Sequence, residues 1–407
     1  MTTSRPRLAF ISPVFLFPND AGGKIRTTNI LRGLKGGRFA VTLVSPCTPE
    51  QATRWRTEIE GVCDEFVPWQ PARARPRWAR ASSLLGELPV NVAADLTPPG
   101  LEAVHKVCAR EDIDLAVFDF VHSAVLVPGT RRFPALCFTH NVEAEIFGRH
   151  AKQAKNALQR WMWTSQSRKM RAYEASALRG FETVIAVSER DAKMFRDQYG
   201  LKAVEAIPTG VDLDFFAWQA PPADAAAPTA VFTGSMDWDA NIDGVRWFLA
   251  QVWPKVLERR PQARFVVVGR NPPAALQAAA QQTRGVSFTG FVDDVRPHVH
   301  AAQVFVIPLL VGGGTRIKAF EAMAMGCPVV STAIGIEGLD AVVGQHFLER
   351  DEPAAMAEAV LLLFADAAAR ERLSRQAREL VERRFGHREV ARVFEDICAR
   401  TLDRVPA

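Results

Sequence analysis

The residues with the clearest chemical purpose lie in one stretch, Pro308-Leu-Leu-Val-Gly-Gly-Gly-Thr-Arg-Ile-Lys-Ala-Phe-Glu-Ala-Met-Ala-Met-Gly326, between the apolar runs Val304 to Ile307 and Pro328 to Ser331. Three glycines (Gly312, Gly313 and Gly314) at the start of a helical pattern leave backbone amides open to an anion, and the partial positive charge of a helix start favours one. Arg316 and Lys318 add two positive charges, and Glu321 falls one turn beyond Lys318 on the same helical face. Cations that hold a diphosphate, with a carboxylate that accepts from two ribose hydroxyls, suit a ligand carrying phosphates at one end and sugar at the other. The plainer alternative is a glycine-rich turn with a surface ion pair.

Two further loops follow apolar runs. Ser12-Pro-Val-Phe-Leu-Phe-Pro-Asn-Asp-Ala-Gly-Gly-Lys-Ile-Arg26 ends in Gly22 and Gly23 before a helical pattern. Paired glycines there either let amides approach an anion or merely turn the chain. The loop does not match the dinucleotide fingerprint Gly-x-Gly-x-x-Gly, which argues against a nicotinamide enzyme. His140-Asn-Val-Glu143 follows the run Leu136 to Thr139. A histidine at the end of a strand can donate to a substrate oxygen or relay a proton, and it can equally serve structure alone.

What must position these loops is an alternation of short β-branched and aromatic runs with helical segments. Leu8 to Ile11, Val41 to Val44, Leu115 to Phe120, Leu136 to Thr139, Val184 to Val187 and Val204 to Ile207 form one series. Ala230 to Thr233, Phe265 to Val268, Val286 to Thr289, Val304 to Ile307 and Pro328 to Ser331 form a second. Alternation of this kind predicts βαβ units and two parallel sheets, with ligands beyond the carboxyl ends of the strands. Between the series, Trp218-Gln-Ala-Pro-Pro-Ala-Asp-Ala-Ala-Ala-Pro228 is the best linker candidate, since its prolines and small residues sustain neither strand nor packed helix. Val390, Val393, Phe394, Ile397, Cys398 and Thr401 recur at helical spacing and predict a terminal helix lying across the body.

At 407 residues the chain is long enough for two domains, each with its own core, and its composition is globular. No run approaches the ~20 apolar residues of a membrane span, and the first residues carry no signal-peptide stretch, so a cytosolic location is expected. Six scattered cysteines build no zinc pattern and read as reduced thiols. The net charge of +5 suits anionic small ligands as well as an anionic membrane face. Residues 149 to 179 carry eight Lys/Arg against the single acid Glu174, with Trp161 and Trp163 among them, and Arg73, Arg75, Arg77 and Arg80 surround Trp78. Such segments either dock on anionic lipid or form a solvated helix face with tryptophans turned inward.

The stretch from Pro308 to Ser331 resembles the donor-site signature of the retaining family-four glycosyltransferases, in a glycine-rich branch. Ile207-Pro-Thr-Gly-Val-Asp212 is similar to the family's hinge, Thr233-Gly-Ser-Met-Asp237 and Val268-Gly-Arg270 to the ends of two strands of its second domain, and Gly290-Phe-Val to its base-binding turn. His140 stands where the family keeps a histidine near the transferred sugar. The resemblance implies a GT-B fold, α/β, with two Rossmann-like doubly wound parallel-sheet domains facing a central cleft. Its divisions are an acceptor-binding domain over 1–212, a donor-binding domain over 213–386, and a terminal helix over 387–407 packing back on the first.

Carried over by position, the resemblance implies that Glu321 binds the donor ribose, that backbone near Phe291 and Val292 contacts the base, and that Gly314, Thr315 and Arg316 meet the phosphates and the sugar, with Gly313 also in the donor site. Ser235, Asn241 and Arg270 complete the expected donor set, while His140, Arg316 and Lys318 are the expected catalytic groups. Two departures stand out. Gly313 occupies a position where the family commonly has a glutamate, and Ser235 and Asn241 replace a usual Arg and Lys, so Arg316 and Lys318 must supply that charge. Asp293 and Asp294 adjoin the base-binding turn and are not read as a metal motif.

The implied function is retaining transfer of a hexose from a nucleotide-diphosphate sugar to a glycan or lipid-linked acceptor, in polysaccharide or glycoconjugate biosynthesis. No metal or cofactor is required where cations and amides neutralise the diphosphate, and nucleic acid is not an expected partner. Peripheral membrane contact through the basic Trp-containing segments would fit a lipid-linked acceptor. The rivals are a nucleotide-sugar epimerase of the same architecture and a non-catalytic nucleotide-sugar binder.

Overall fold

The computed structural model describes residues 5–71, 86–154, 156–224, 227–311 and 317–404. All strand pairs among them are parallel. The first sheet comprises β1 (Arg7–Ile11), β2 (Ala40–Pro46), β3 (Glu65–Trp69), β4 (Leu115–Asp119), β5 (Ala135–Phe138), β6 (Thr183–Ala186) and β7 (Val204–Ala206), in the order β3-β2-β1-β4-β5-β6-β7. The second comprises β8 (Thr229–Thr233), β9 (Arg264–Val268), β10 (Val286–Gly290), β11 (Val304–Ile307), β12 (Val329–Ser331) and β13 (Leu348–Glu349), in the order β10-β9-β8-β11-β12-β13. Central strands such as Leu115–Asp119 and Val304–Ile307 are buried throughout, which is why they read as unbroken apolar runs.

In each sheet the strand order reverses beside the first strand of the series, at β1/β4 and at β8/β11. Loops leaving the two strands at such a reversal diverge to opposite faces and open a crevice at their carboxyl ends. The loop Ser12 to Ala21 and Phe120 leave β1 and β4, while the loop from Gly234 and the loop from Pro308 leave β8 and β11. Two of the three chemically suggestive loops therefore stand at switch points, while the His140 loop leaves the neighbouring β5.

Residues 1–210 with 387–407 form one unit and 211–386 the other. The chain leaves the first unit after Gly210 and returns at His387, where the helix His387–Asp403 buries Val390, Phe394, Ile397, Cys398 and Thr401. Phe394 packs edge-on against Phe138, with ring centres 5.3 Å apart, and also against Phe10. Full burial of one such side chain stabilises the unit by about 1.5–3 kcal/mol.

The candidate linker at 218–228 is a correction. Its described residues belong to the second unit, strapped down by Trp218 Nε1 donating to Ser374 Oγ at 3.0 Å and by the buried Arg370 donating to Asp224 Oδ1 at 2.6 Å. Proline content excludes regular structure there, but it does not prevent docking. Two strands escaped the pattern: β3 because Pro68 interrupts it, a residue tolerated at this sheet edge, and β13 because it has only two residues.

Candidate active site

In the second unit, Lys318 lies on the helix Ile317–Ala324, which follows β11, yet its side chain reaches the end of β8. Its Nζ donates to Asn241 Oδ1 at 2.9 Å and sits 4.2 Å from the ring centre of Phe232. Asn241 is buried on the helix Asp239–Trp247, and its Nδ2 donates to the Ser235 carbonyl at 2.7 Å. The amide has one orientation that serves both partners, oxygen toward the cation and nitrogen toward the carbonyl. Gly234 makes room for this arrangement, since a Cβ there would lie 2.8 Å from both Lys318 Nζ and Asn241 Nδ2.

Glu321, one turn beyond Lys318, is half-buried, and its carboxylate has no hydrogen-bond partner among the described residues. Burial pushes its pKa up to about 7, against the field of Lys318. A carboxylate so placed gains from any ligand that donates two hydroxyls to it. Residues 312–316, with Gly313, Gly314, Thr315 and Arg316, lie outside the described residues, as do Arg73, Arg75, Arg77, Trp78 and Arg80.

Arg270 turns toward protein. Its Nε donates to Asp237 Oδ2 at 3.0 Å and to Ser235 Oγ at 3.3 Å, while Asn271 donates to Asp237 Oδ1 at 3.0 Å. The hydrogen bonds from Asn271 and Ser235, with that from Arg270, hold Asp237 below the usual carboxylate range. Phe291 is 71% exposed beside Gly290, whereas Val292 packs on the core. Asp294 pairs with Arg296 at 2.7 Å, and Arg296 stacks over Phe215. Among the described residues no group of three His, Cys, Asp or Glu could hold a metal ion.

In the first unit, His140 is enclosed by a polar network at the β1/β4 reversal. Its Nε2 donates to Asp119 Oδ1 at 2.6 Å, and its Nδ1 accepts from Arg26 Nη1 at 2.8 Å. Because the guanidinium can only donate, the tautomer is set as Nε2–H. Burial lowers the His140 pKa against the pull of Asp119, and Arg26 lowers it further, so the imidazole is neutral at pH 7. Burial also brings Arg26 down to about 10, opposed by Asp119. Thr27 and Ser12 donate to the same Asp119 carboxylate.

The His140 ring stacks on Phe120, with centres 3.9 Å apart. Phe120 has φ of 64°, a left-handed conformation costly for a phenylalanine. Gly23 explains itself here: a Cβ would lie 2.7 Å from Phe120 Cζ and 3.6 Å from His140 Nδ1. Gly22 is exposed and opens the helix Gly22–Leu34, whose Ala21 cap supplies no side-chain acceptor for the first amides. Asp119, Arg26 and Phe120 were not singled out by the sequence; Asp119 lies inside the run Leu115 to Phe120 with no motif around it. In the basic segment, Trp163 stacks on Phe147 whereas Trp161 and Leu158 are 61% and 73% exposed.

Residues 21–215 match the model described as Glycosyltransferase Family 4, and residues 227–366 match the model described as Glycosyl transferases group 1. Over 228 residues, 53% of the chain, the sequence is 30% identical to a phosphatidyl-myo-inositol mannosyltransferase of Mycobacterium leprae, and spans 59% of that relative's length. The fold is similar to sucrose-phosphate synthase of Thermosynechococcus elongatus, with a TM-score of 0.71 at 19% identity over 98% of this chain and 100% of that one. It is also similar to Anabaena HepE in complex with UDP, with a TM-score of 0.66 at 14% identity over 97% and 100% of the two chains. Two parallel-sheet units and these neighbours define the GT-B fold. The two matched stretches are similar to glycosyltransferase domains, one in each unit.

Proposed function

We propose that the chain transfers a hexose from a nucleoside diphosphate sugar to a hydroxyl of a glycan or lipid-linked acceptor, with retention of anomeric configuration. The observation that carries this reading is the cation of Lys318, held by Asn241 at the β8/β11 switch point one turn from a carboxylate that has no donor among the described residues. In this reading Lys318, Arg316 and the glycine-rich stretch before Lys318 neutralise the diphosphate, and the ribose hydroxyls donate to Glu321. Phe291 and Val292 flank the base. The mannosyltransferase relative supports a hexose, and the UDP bound to a structural neighbour supports a nucleotide donor.

In the reaction the acceptor oxygen bonds to the anomeric carbon on the face the diphosphate vacates. The carbon–oxygen bond to phosphate breaks with its electron pair going to the phosphate, and the acceptor proton follows to a phosphate oxygen. Stabilising the departing charge is the main contribution, about 3 kcal/mol for one such group. His140, neutral and bonded at both nitrogens, positions Asp119, Arg26 and Phe120 rather than carrying a proton.

Leu158 and Trp161, exposed on a helix that also presents Arg160 and Arg168, support peripheral binding to anionic lipid near a lipid-linked acceptor. Among the described residues no helix is long and apolar enough to cross a membrane. Incubation with a nucleotide sugar and candidate acceptors, followed by NMR of the product anomer, tests the proposal. A glycoside with the donor's configuration is expected. Two nucleotide sugars and no glycoside would indicate an epimerase, and no turnover with tight binding would indicate a binder.

A further inference from the structure

His122 and Asp95, which no motif brought to attention, form a dyad in the first unit. Asp95 ends the helix Val90–Asp95, and His122 lies in the short turn Val121–Leu126 after β4. The Asp95 carboxylate accepts a close hydrogen bond from His122 Nδ1–H, both side chains being largely buried. Nε2 has no hydrogen-bond partner among the described residues. A carboxylate on Nδ1 that leaves Nε2 open fixes both tautomer and ring orientation, so that the free nitrogen is aimed at a ligand.

Three neighbours add to this. The His122 ring lies 5.1 Å from that of Phe120, the residue held in the left-handed conformation that also stacks on His140. Strain of this kind, about 1–3 kcal/mol, persists where the surroundings impose it and clusters at functional sites. Glu143 is buried at the start of the helix Glu143–Gln153; among the described residues its carboxyl receives only a long 3.4 Å hydrogen bond, from Asn141, and it bears on His122 electrostatically. The Tyr173 hydroxyl is buried without a hydrogen-bond partner among the described residues and feels the charge of Asp95. Burial alone lowers the His122 pKa; the bond to Asp95 and the fields of Asp95, Glu143 and Asp119 outweigh it, and the net shift is upward.

We propose that the His122–Asp95 dyad is an acceptor subsite, with His122 Nε2 and the Glu143 carboxyl hydrogen-bonding the hydroxyls of a neutral sugar or cyclitol. The charge around it selects that class. Asp95, Glu143 and Asp119 all act on His122, a field that favours a neutral hydroxyl over an anionic group at Nε2. The subsite rests on the transferase reading above and adds to it the group that holds the acceptor.

The test uses the full chain and the variants Asp95→Asn and His122→Gln. With the wild type, addition of methyl α-mannopyranoside, methyl α-glucopyranoside or myo-inositol is expected to shift the His122 imidazole nitrogen signals in NMR, and Asp95→Asn is expected to abolish that shift. In transfer assays both variants should raise the acceptor KM roughly tenfold. Donor hydrolysis without acceptor and the thermal shift given by the nucleotide should stay at wild-type levels, which also shows that the variants fold. No shift with any of the three polyols, an unchanged acceptor KM, or equal losses in hydrolysis and transfer would each overturn the subsite. A wild type that neither binds nor hydrolyses any nucleotide sugar would instead remove the transferase reading, while the imidazole response to polyols would stand.

Discussion

Lys318 Nζ lies 2.9 Å from Asn241 Oδ1, joining residues 77 positions apart at the end of β8. A cation from the helix after β11 thereby occupies the place where the pattern of the chain leaves Ser235 and Asn241. Asn241 fixes the lysine, and Gly234 gives it room.

Lys318→Met should lower kcat/KM about 100-fold, the cost of losing one group that stabilises developing charge. Asn241→Ala should cost about tenfold, because it loosens the lysine without removing it. The double variant should be close to Lys318→Met alone, which steady-state kinetics of the three proteins would decide.

Glu321 gives donor binding a pH dependence of definite sign. Its pKa of about 7 in the free protein must fall when ribose hydroxyls donate to the carboxylate, so binding favours the ionised form. Nucleotide affinity should rise from pH 6 to pH 7, level off above, and release a proton at the lower pH. Calorimetric titrations in buffers of different ionisation enthalpy read this directly, and Glu321→Gln should remove the dependence while weakening binding.

His140→Ala should destabilise the first unit by about 3 kcal/mol, because Asp119 and Arg26 each lose a buried partner. Urea unfolding of variant and wild type measures it. A loss of activity without that destabilisation would assign His140 a direct part in the chemistry.

Gly23→Ala should cost about 1–3 kcal/mol through the clash with Phe120, and Phe120→Leu should recover part of it. Thermal unfolding of the single and double variants checks this. Equal stability of Gly23→Ala and wild type would show that the ring yields freely.

Much of the fold was legible because buried parallel strands leave unbroken apolar runs, as at Val304–Ile307. β3 was hidden by Pro68, which an edge tolerates, and the 218–228 segment by the assumption that proline-rich chain does not dock. Lys318 was legible as a charge, but its partner depended on β8 and β11 being neighbours, a matter of sheet order rather than local sequence. The Asp119–His140–Arg26 network and the His122–Asp95 pair join residues from separate elements, and no spacing rule links them. Paired glycines at 22 and 23 suggested an anion loop, yet Gly23 is accounted for by the Phe120 ring beside it.

The central claim is that a nucleoside diphosphate sugar binds the second unit against Lys318. A thermal-shift screen of UDP, GDP, ADP and dTDP sugars on wild type and Lys318→Met tests it most directly, since a ligand at 100 times its Kd adds about 2.7 kcal/mol of stability. The account predicts that one nucleotide series stabilises the wild type and that Lys318→Met loses most of the response. A wild type indifferent to all four, or a variant that responds as fully as the wild type, would contradict it.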